Sequence, residues 1–491
     1  MKRIYTIALA LLLTGTAVMA QQAQPQQAST TAKTFTLDQC IDYALKNHAD
    51  AMNAVLDTQA AREQVKETAG MGLPQVVVGG GLIYNPKLPR FFQAYQPPTD
   101  GGISFFPNIP GLPAGSVVSA QNFFQLQASG DANVTINQLL FNGSYFVGLQ
   151  AANAFKDYAY KNATATRVTV IQNVTKAYYA ALINNDRLTS LDANIARTDS
   201  TLRSTKVMFE NGLAENIDVQ RLQVAYNNLV VSRSNFFNSK EITLEILKFN
   251  MGYSMDEEIN VAGSIEDVEV LTDPAAYASD FTYENRSDYQ ALQAQQKMQG
   301  LSVKNNQAMT LPTLSAYYKT GFQTQSDNIG GLFKTNSSVP APYNEAIGAD
   351  KWFNYSVLGV SLNWNLFTGM TQYHKIQREK ITLQKLNNSF RLLKSSIDMD
   401  VKNSALAYNS ALKTLQSQKE NTDLASNVYR VTRIKFEQGV GSNIEVVTAE
   451  SEYRTAQNTY YQALFDAMVA KVDLDKAYGR LKAPESSDST K

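Results

Sequence analysis

The chain is poor in the residues that interrupt helices. None of its 14 prolines lies between Pro113 and Pro274 or between Pro342 and Pro484. Neither glycine nor proline occurs over 149–211, 213–251, 370–438 or 442–478. Such runs read as very long helices, the longer ones roughly 90 Å at ~1.5 Å per residue, and few globular cores are that wide. The single cysteine, Cys40, excludes an internal disulfide and lies too far in to be a lipidated N-terminus. The 44 basic side chains are balanced by 44 acidic ones, so the charge gives no reason to expect nucleic acid. Beyond residue 20 no stretch approaches ~18 consecutive apolar residues, and the mean hydropathy is −0.27, which excludes a bundle of membrane helices. HExxH, GxSxG, Walker A and GxGxxG motifs are all missing. The two histidines, His48 and His374, are far apart and read as solvated helix positions, and Gly79–Gly81 reads as a strand cluster rather than a phosphate cradle. No enzyme, cofactor or metal site is expected.

What is present begins with an export signal. Lys2 and Arg3 precede an apolar run from Ile7 to Leu13, and Val18-Met19-Ala20 offers small residues before a Gln-rich start at Gln21. Residues 1–20 are therefore read as a secretory signal peptide and 21–34 as a polar N-terminal segment.

The remainder repeats itself. Val207-Met-Phe-Glu-Asn-Gly-Leu-Ala-Glu-Asn-Ile-Asp-Val219 recurs as Ile434-Lys-Phe-Glu-Gln-Gly-Val-Gly-Ser-Asn-Ile-Glu-Val446, with six of thirteen positions identical at an offset of 227. Gly252 and Gly479 keep that offset, Leu140–Gly143 recurs as Leu366–Gly369, and Asn47, Leu73-Pro74 recur as Asn285, Leu311-Pro312. Two tandem repeats follow. The first, 35–252, has a helix over 37–69, strands over 75–84 and 123–141, a long helix over 143–210 and a return helix over 216–250. The second, 283–479, has a helix over 283–307, strands over 313–322 and 353–367, a long helix over 369–437 and a return helix over 443–478. A segment over 253–282 joins them, and 480–491 is a polar tail. Stripes at seven-residue spacing, Val174 to Phe209 and Ile376 to Ile397, suit helices packed nearly parallel. At the two hairpin tips Gly212 and Gly439 supply left-handed caps, Asn216 and Asn443 read as N-caps, and Asp218 and Glu445 sit in the first turns where the helix dipole favours an acid.

The strands have period two. Gln125, Gln127, Ser129, Asp131, Asn133, Thr135 and Asn137 alternate with Leu126, Ala128, Gly130, Ala132, Val134 and Ile136. Trp352 and Trp364, twelve residues apart, would stand ~30 Å apart along a tilted barrel axis, as interface aromatics do. A membrane barrel fits this better than a soluble sandwich. Four strands cannot close one alone, so the barrel must be shared between chains.

This ordered combination, with the F-E-x-G-x(3)-N-I-[DE]-V tip repeated, resembles the TolC family of outer-membrane efflux proteins over about Phe35 to Leu481. The resemblance implies a mixed α and β membrane protein: a homotrimer with a twelve-stranded β-barrel, four strands per chain, set in outer-membrane lipid and continuous with a periplasmic α-barrel of twelve helices, with 253–282 as an equatorial segment. It implies a periplasmic adaptor docking at the tips, near Phe209, Gly212, Asn216, Gly439 and Asn443, and an inner-membrane pump of RND, ABC or MFS type. It implies a gate at those tips containing Asp218 and an acidic ring at Glu445. Phe436 stands where the family has an aromatic partner, often tyrosine, Gly441 where it has arginine, and Thr448 where it has a second carboxylate. The competing reading is a structural or adhesive coiled-coil surface protein.

Overall fold

A computed structural model describes residues 32–97, 108–121, 125–265, 281–333 and 352–482. The signal peptide, residues 21–31, the centre of the equatorial segment and the end of the tail lie outside the described residues.

Two helices dominate. We label the helices α1 (Leu37–Asn47), α2 (Ala49–Gly70), α3 (Gly143–Glu210), α4 (Asn216–Met251), α5 (Ser287–Ala308), α6 (Thr371–Glu437) and α7 (Asn443–Ala477). With 68 and 67 residues, α3 and α6 each extend about 100 Å at ~1.5 Å per residue. The strands are β1 (Lys33–Phe35), β2 (Gln75–Tyr84), β3 (Arg90–Ala94), β4 (Val117–Gln121), β5 (Ala128–Asn142), β6 (Ile259–Val261), β7 (Thr313–Ser326) and β8 (Phe353–Asn363). Four of them make one antiparallel sheet in the order β2-β5-β7-β8.

Several boundaries differ from expectation. The first helix is not continuous over 37–69. His48 is extended (φ −68°, ψ 131°) and its Nδ1 accepts from the Asp50 backbone N–H at 3.2 Å, so it caps α2 rather than occupying a solvated helical position. In the second half a short 3₁₀ turn, Tyr283–Asn285, stands apart from α5 in the same way, with Arg286 extended between them. The strand expected over 123–141 begins at Ala128, and the one expected over 353–367 stops at Asn363, leaving Trp364 to Phe367 in the approach to α6. The strand expected over 313–322 runs on to Ser326. Residues 33–34 of the N-terminal segment pair with β6 in a parallel ladder. The proline-rich connection after β2 contains an unexpected hairpin, β3 with β4.

The main apolar core lies at the equator, where α1 and the ends of α4 and α7 pack on the middle of α3. Phe35, Cys40, Val174, Ala181, Leu247, Met251, Met468 and Leu474 are all buried there. Each large aliphatic side chain contributes about 1.5–3 kcal/mol by leaving water. Burial pushes the Cys40 thiol up to about 12, and only the thiolate is nucleophilic. Iodoacetamide at about pH 8 should therefore leave Cys40 unmodified in the folded protein and alkylate it after denaturation, as intact mass will show. Full labelling of the native protein would contradict this burial.

Candidate functional site

Two regions carry the residues singled out from the sequence. The first is the sheet. Register places Val76, Val78 and Leu82 of β2, Val134 and Ile136 of β5, Tyr318 and Phe322 of β7, and Leu358, Val360 and Leu362 of β8 on one face. These side chains are exposed, Val78 by 78% and Leu358 by 79%. The opposite face carries Ser129, Asp131, Asn133, Thr135, Lys319, Gln323 and Tyr355. Val77 and Ile83 of β2 and Phe353 and Val357 of β8 share that second face, so the sheet has one bare apolar face and one mixed face whose centre is polar. On the mixed face Tyr355 donates to Asp131 Oδ1 at 2.6 Å, Lys319 Nζ lies 3.8 Å from Asp131 Oδ2, and Asn133 donates to the same carboxylate. The Lys319 ammonium also sits 5.5 Å from the centre of the Tyr355 ring. This cross-strand cluster was missed in the sequence, because Asp131 and Lys319 meet only through the β5–β7 register.

The tryptophans mark opposite ends of the sheet. Trp352 donates from Nε1 to the Leu332 carbonyl at 2.8 Å, and its ring lies against Gly130, where a Cβ would meet it at 2.7 Å. Trp364 lies beyond the end of β8, half exposed, and donates to the Thr310 carbonyl at 3.1 Å.

The second region is the pair of hairpin tips. Gly212 (φ 74°) and Gly439 (φ 75°) adopt the left-handed conformation that ends α3 and α6. Each follows one pattern: Leu213 N–H donates to Met208 O at 2.8 Å and Val440 N–H to Lys435 O at 3.0 Å, closing a Schellman turn. Phe209, Leu213 and Val440 are exposed at these tips. The expected N-caps are corrected. Glu215 and Ser442 occupy the cap positions, and Asn216 and Asn443 are the first helical residues. Asn216 is exposed. Asn443 is 3% exposed and reaches the other hairpin, donating from Nδ2 to the Asp218 carbonyl at 3.0 Å and to Asp218 Oδ1 at 3.3 Å. Asp218 also lies 3.8 Å from Arg221.

Phe436 turns instead to Tyr429, Val446 and Ala449, on which it packs between α6 and α7. Gly441 sits tightly on the end of α6, where a Cβ would lie 3.1 Å from the Phe436 nitrogen. Glu445 and Thr448 are exposed one turn apart on α7. Deeper in the groove, Thr198 of α3 donates to Glu450 of α7. Burial holds that carboxyl above the usual range, against the pull of Thr198, Arg454 and Arg197. Among the described residues no cluster of His, Cys, Asp or Glu could hold a metal ion, and no helix is long and apolar enough to cross a membrane.

A long helical hairpin continuous with a sheet that is apolar on its bare face is matched in proteins of known role. Residues 280–480 match the outer membrane efflux protein family. The wider chain is 21% identical over 357 residues to outer membrane protein TolC of Vibrio cholerae, covering 73% of this chain and 78% of that one. Its fold is shared with the outer membrane protein VceC of Vibrio cholerae (TM-score 0.64, 13% identity, 90% of this chain and 96% of that one). It is also shared with the open state of the Neisseria gonorrhoeae MtrE outer membrane channel (TM-score 0.65, 17% identity, 90% and 88%). The matched family is one of outer membrane efflux proteins.

Proposed function

We propose that this efflux protein is the outer-membrane exit duct of a tripartite system, carrying small molecules or proteins outward from an inner-membrane pump and a periplasmic adaptor. The observation that carries this reading is the four-stranded sheet with its bare apolar face. A lipid environment covers such a face, whereas a coiled-coil stalk has no use for it. Both edges of the sheet, β2 and β8, leave backbone groups unpaired within one chain, and unpaired edges are not tolerated in hydrocarbon. Three copies joined β8 to β2 make a closed barrel of twelve strands, an even number as bacterial barrels have.

The helices support the same assembly. Leu392, Met399 and Leu406 repeat at seven-residue spacing on α6 and are exposed in the single chain, as are Val224 and Val231 on α4. Stripes of this kind seek partner helices. Trp352 and Trp364 then mark the two membrane interfaces, and the Asp131–Lys319–Tyr355 face lines the lumen. Light scattering of the detergent-extracted protein should give three chains, and the protein should stay with outer membranes after a salt wash. A monodisperse monomer that conducts ions in planar bilayers would overturn the shared barrel.

The tips form the periplasmic gate and the adaptor-docking surface in this reading. Glu445, exposed in the first turn of α7, would project three carboxylates toward the axis, and Thr448 adds no second ring. Carboxylates drawn to ~4 Å repel by about 4 kcal/mol per pair at an effective dielectric near 20, and such a ring attracts cations. Glu445→Gln should lower cation selectivity and weaken block by multivalent cations from the periplasmic side. The reversal potential in a salt gradient reads this directly; an unchanged value would leave Glu445 as a helix-dipole partner only.

A further inference from the structure

A cavity of about 590 Å³ opens where α2, the upper part of α3, the 284–290 segment and the end of α7 meet. Its wall is unevenly charged. Arg62, Lys161, Arg167, Arg286, Lys476 and Lys482 face two carboxylates, Glu284 and Asp288. One of those carboxylates is already committed: Arg286 donates to Asp288 from Nη2 at 2.6 Å and from Nε at 3.0 Å. Arg286 also donates to the Ala477 carbonyl at 3.4 Å, so that pair serves the equatorial packing.

Two of the lysines hydrogen-bond to neutral amides. Lys161 Nζ donates to Gln290 Oε1 at 3.0 Å and Lys476 Nζ to Gln172 Oε1 at 2.6 Å. The Arg167 Nε is buried without a hydrogen-bond partner. Among the described residues no carboxylate lies within ion-pair distance of Lys161, Arg167 or Lys476. Burial, with the fields of Arg286 and Lys176, holds the Lys476 ammonium below its ordinary range despite Asp288 and Asp473. The first turn of α5, from Ser287, adds the positive end of a helix dipole to the same wall.

Charged groups half removed from water with no opposite charge in contact are unfavourable, and an unmade hydrogen bond from a buried guanidinium nitrogen adds to this. A guanidinium and two ammonium groups around one space match a ligand carrying several oxygens and more than one negative charge. We infer that this equatorial cavity binds a small multivalent oxyanion, with Arg167, Lys161 and Lys476 as its principal donors. The site lies away from both the sheet and the tips, so it does not depend on the gate assignment.

Isothermal titration of the detergent-solubilised full-length assembly with inorganic pyrophosphate tests this. Binding should be saturable at one site per chain and weaken with added salt. Arg167→Gln and Lys476→Gln should each weaken it by about tenfold or more, as loss of a hydrogen bond to a charged group does. Arg167→Lys should retain part of the affinity, because it keeps the charge but not the fork. Lys66→Gln, on α2 but paired with Glu63 at the surface, should change nothing. Unchanged melting of each variant shows that the fold is intact. Absence of binding, or equal binding in wild type and both Gln variants, overturns the site.

Discussion

Alanine at Gly252 or Gly479 should destabilise the chain more than alanine at any tip glycine. Both residues end a return helix in the left-handed region, with φ 66° and 69°. Leaving that region to glycine avoids roughly 1–2 kcal/mol of strain for a residue with a Cβ. Here a second cost adds to it. A Cβ at Gly252 would lie 2.7 Å from the Asn47 carbonyl oxygen and 2.9 Å from the His48 Cα. At Gly479 it would lie 2.5 Å from the Asn285 carbonyl oxygen and 2.7 Å from the carbonyl carbon. These are backbone atoms, so no rotamer change relieves the overlap, and overpacking of this kind typically costs ~1–3 kcal/mol. The total is roughly 2–5 kcal/mol per substitution. Gly212 and Gly439 have the same sign of φ but open space around them, so alanine there carries the conformational cost alone. Heat denaturation followed by far-UV circular dichroism should rank the variants in that order. Equal losses at Gly252 and Gly212 would mean that the backbone contact is not what requires glycine.

That close approach falls at the break in the helix at His48. The chain turns out of helix between Asn47 and Ala49 where the end of α4 presses on it, and again at Arg286 where the end of α7 presses. Nothing local announces either break, since no glycine or proline lies near His48. The long helices were legible because breakers are missing over whole segments, and the sheet faces because alternation survives in β5 and β8. Pairings between distant segments were not legible. Asp131 meets Tyr355 across 224 residues, Thr198 meets Glu450 across 252, and the cations of the equatorial cavity come from four separate stretches. Each of these depends on register or on helix rotation, which periodicity alone does not set.

The tip residues illustrate the same division. Asp218 was legible as a first-turn acid, and its expected partners, Phe436 and Gly441, lack the chemistry to bind it. Its partner is instead Asn443, a residue that reads as a helix cap in isolation.

Removing the Asp218–Asn443 tie should therefore raise the open probability of the channel. The two bonds join the first turn of α4 to that of α7, so separation of the two hairpins would break both. A hydrogen bond to a carboxylate contributes about 1.5–3 kcal/mol and one to a neutral carbonyl about 0.5–1.5 kcal/mol. Asp218→Ala removes only the first and leaves the bond to its backbone carbonyl. Asn443→Ala removes both, about 2–4.5 kcal/mol together, so it should have the larger effect, on the order of thirtyfold to a thousandfold in the open-to-closed ratio at ~1.4 kcal/mol per factor of ten. The double variant should add little to Asn443→Ala, because the two side chains share one interaction. Arg221→Gln, which loses only a partly exposed ion pair at 3.8 Å, should change the ratio by much less. Single-channel recording in planar bilayers measures all four variants on one scale, and unchanged trimer melting separates loosened tips from a damaged barrel. Additive effects of Asp218→Ala and Asn443→Ala would show that each acts through a different contact, and a closed channel in both would remove this tie from the gate.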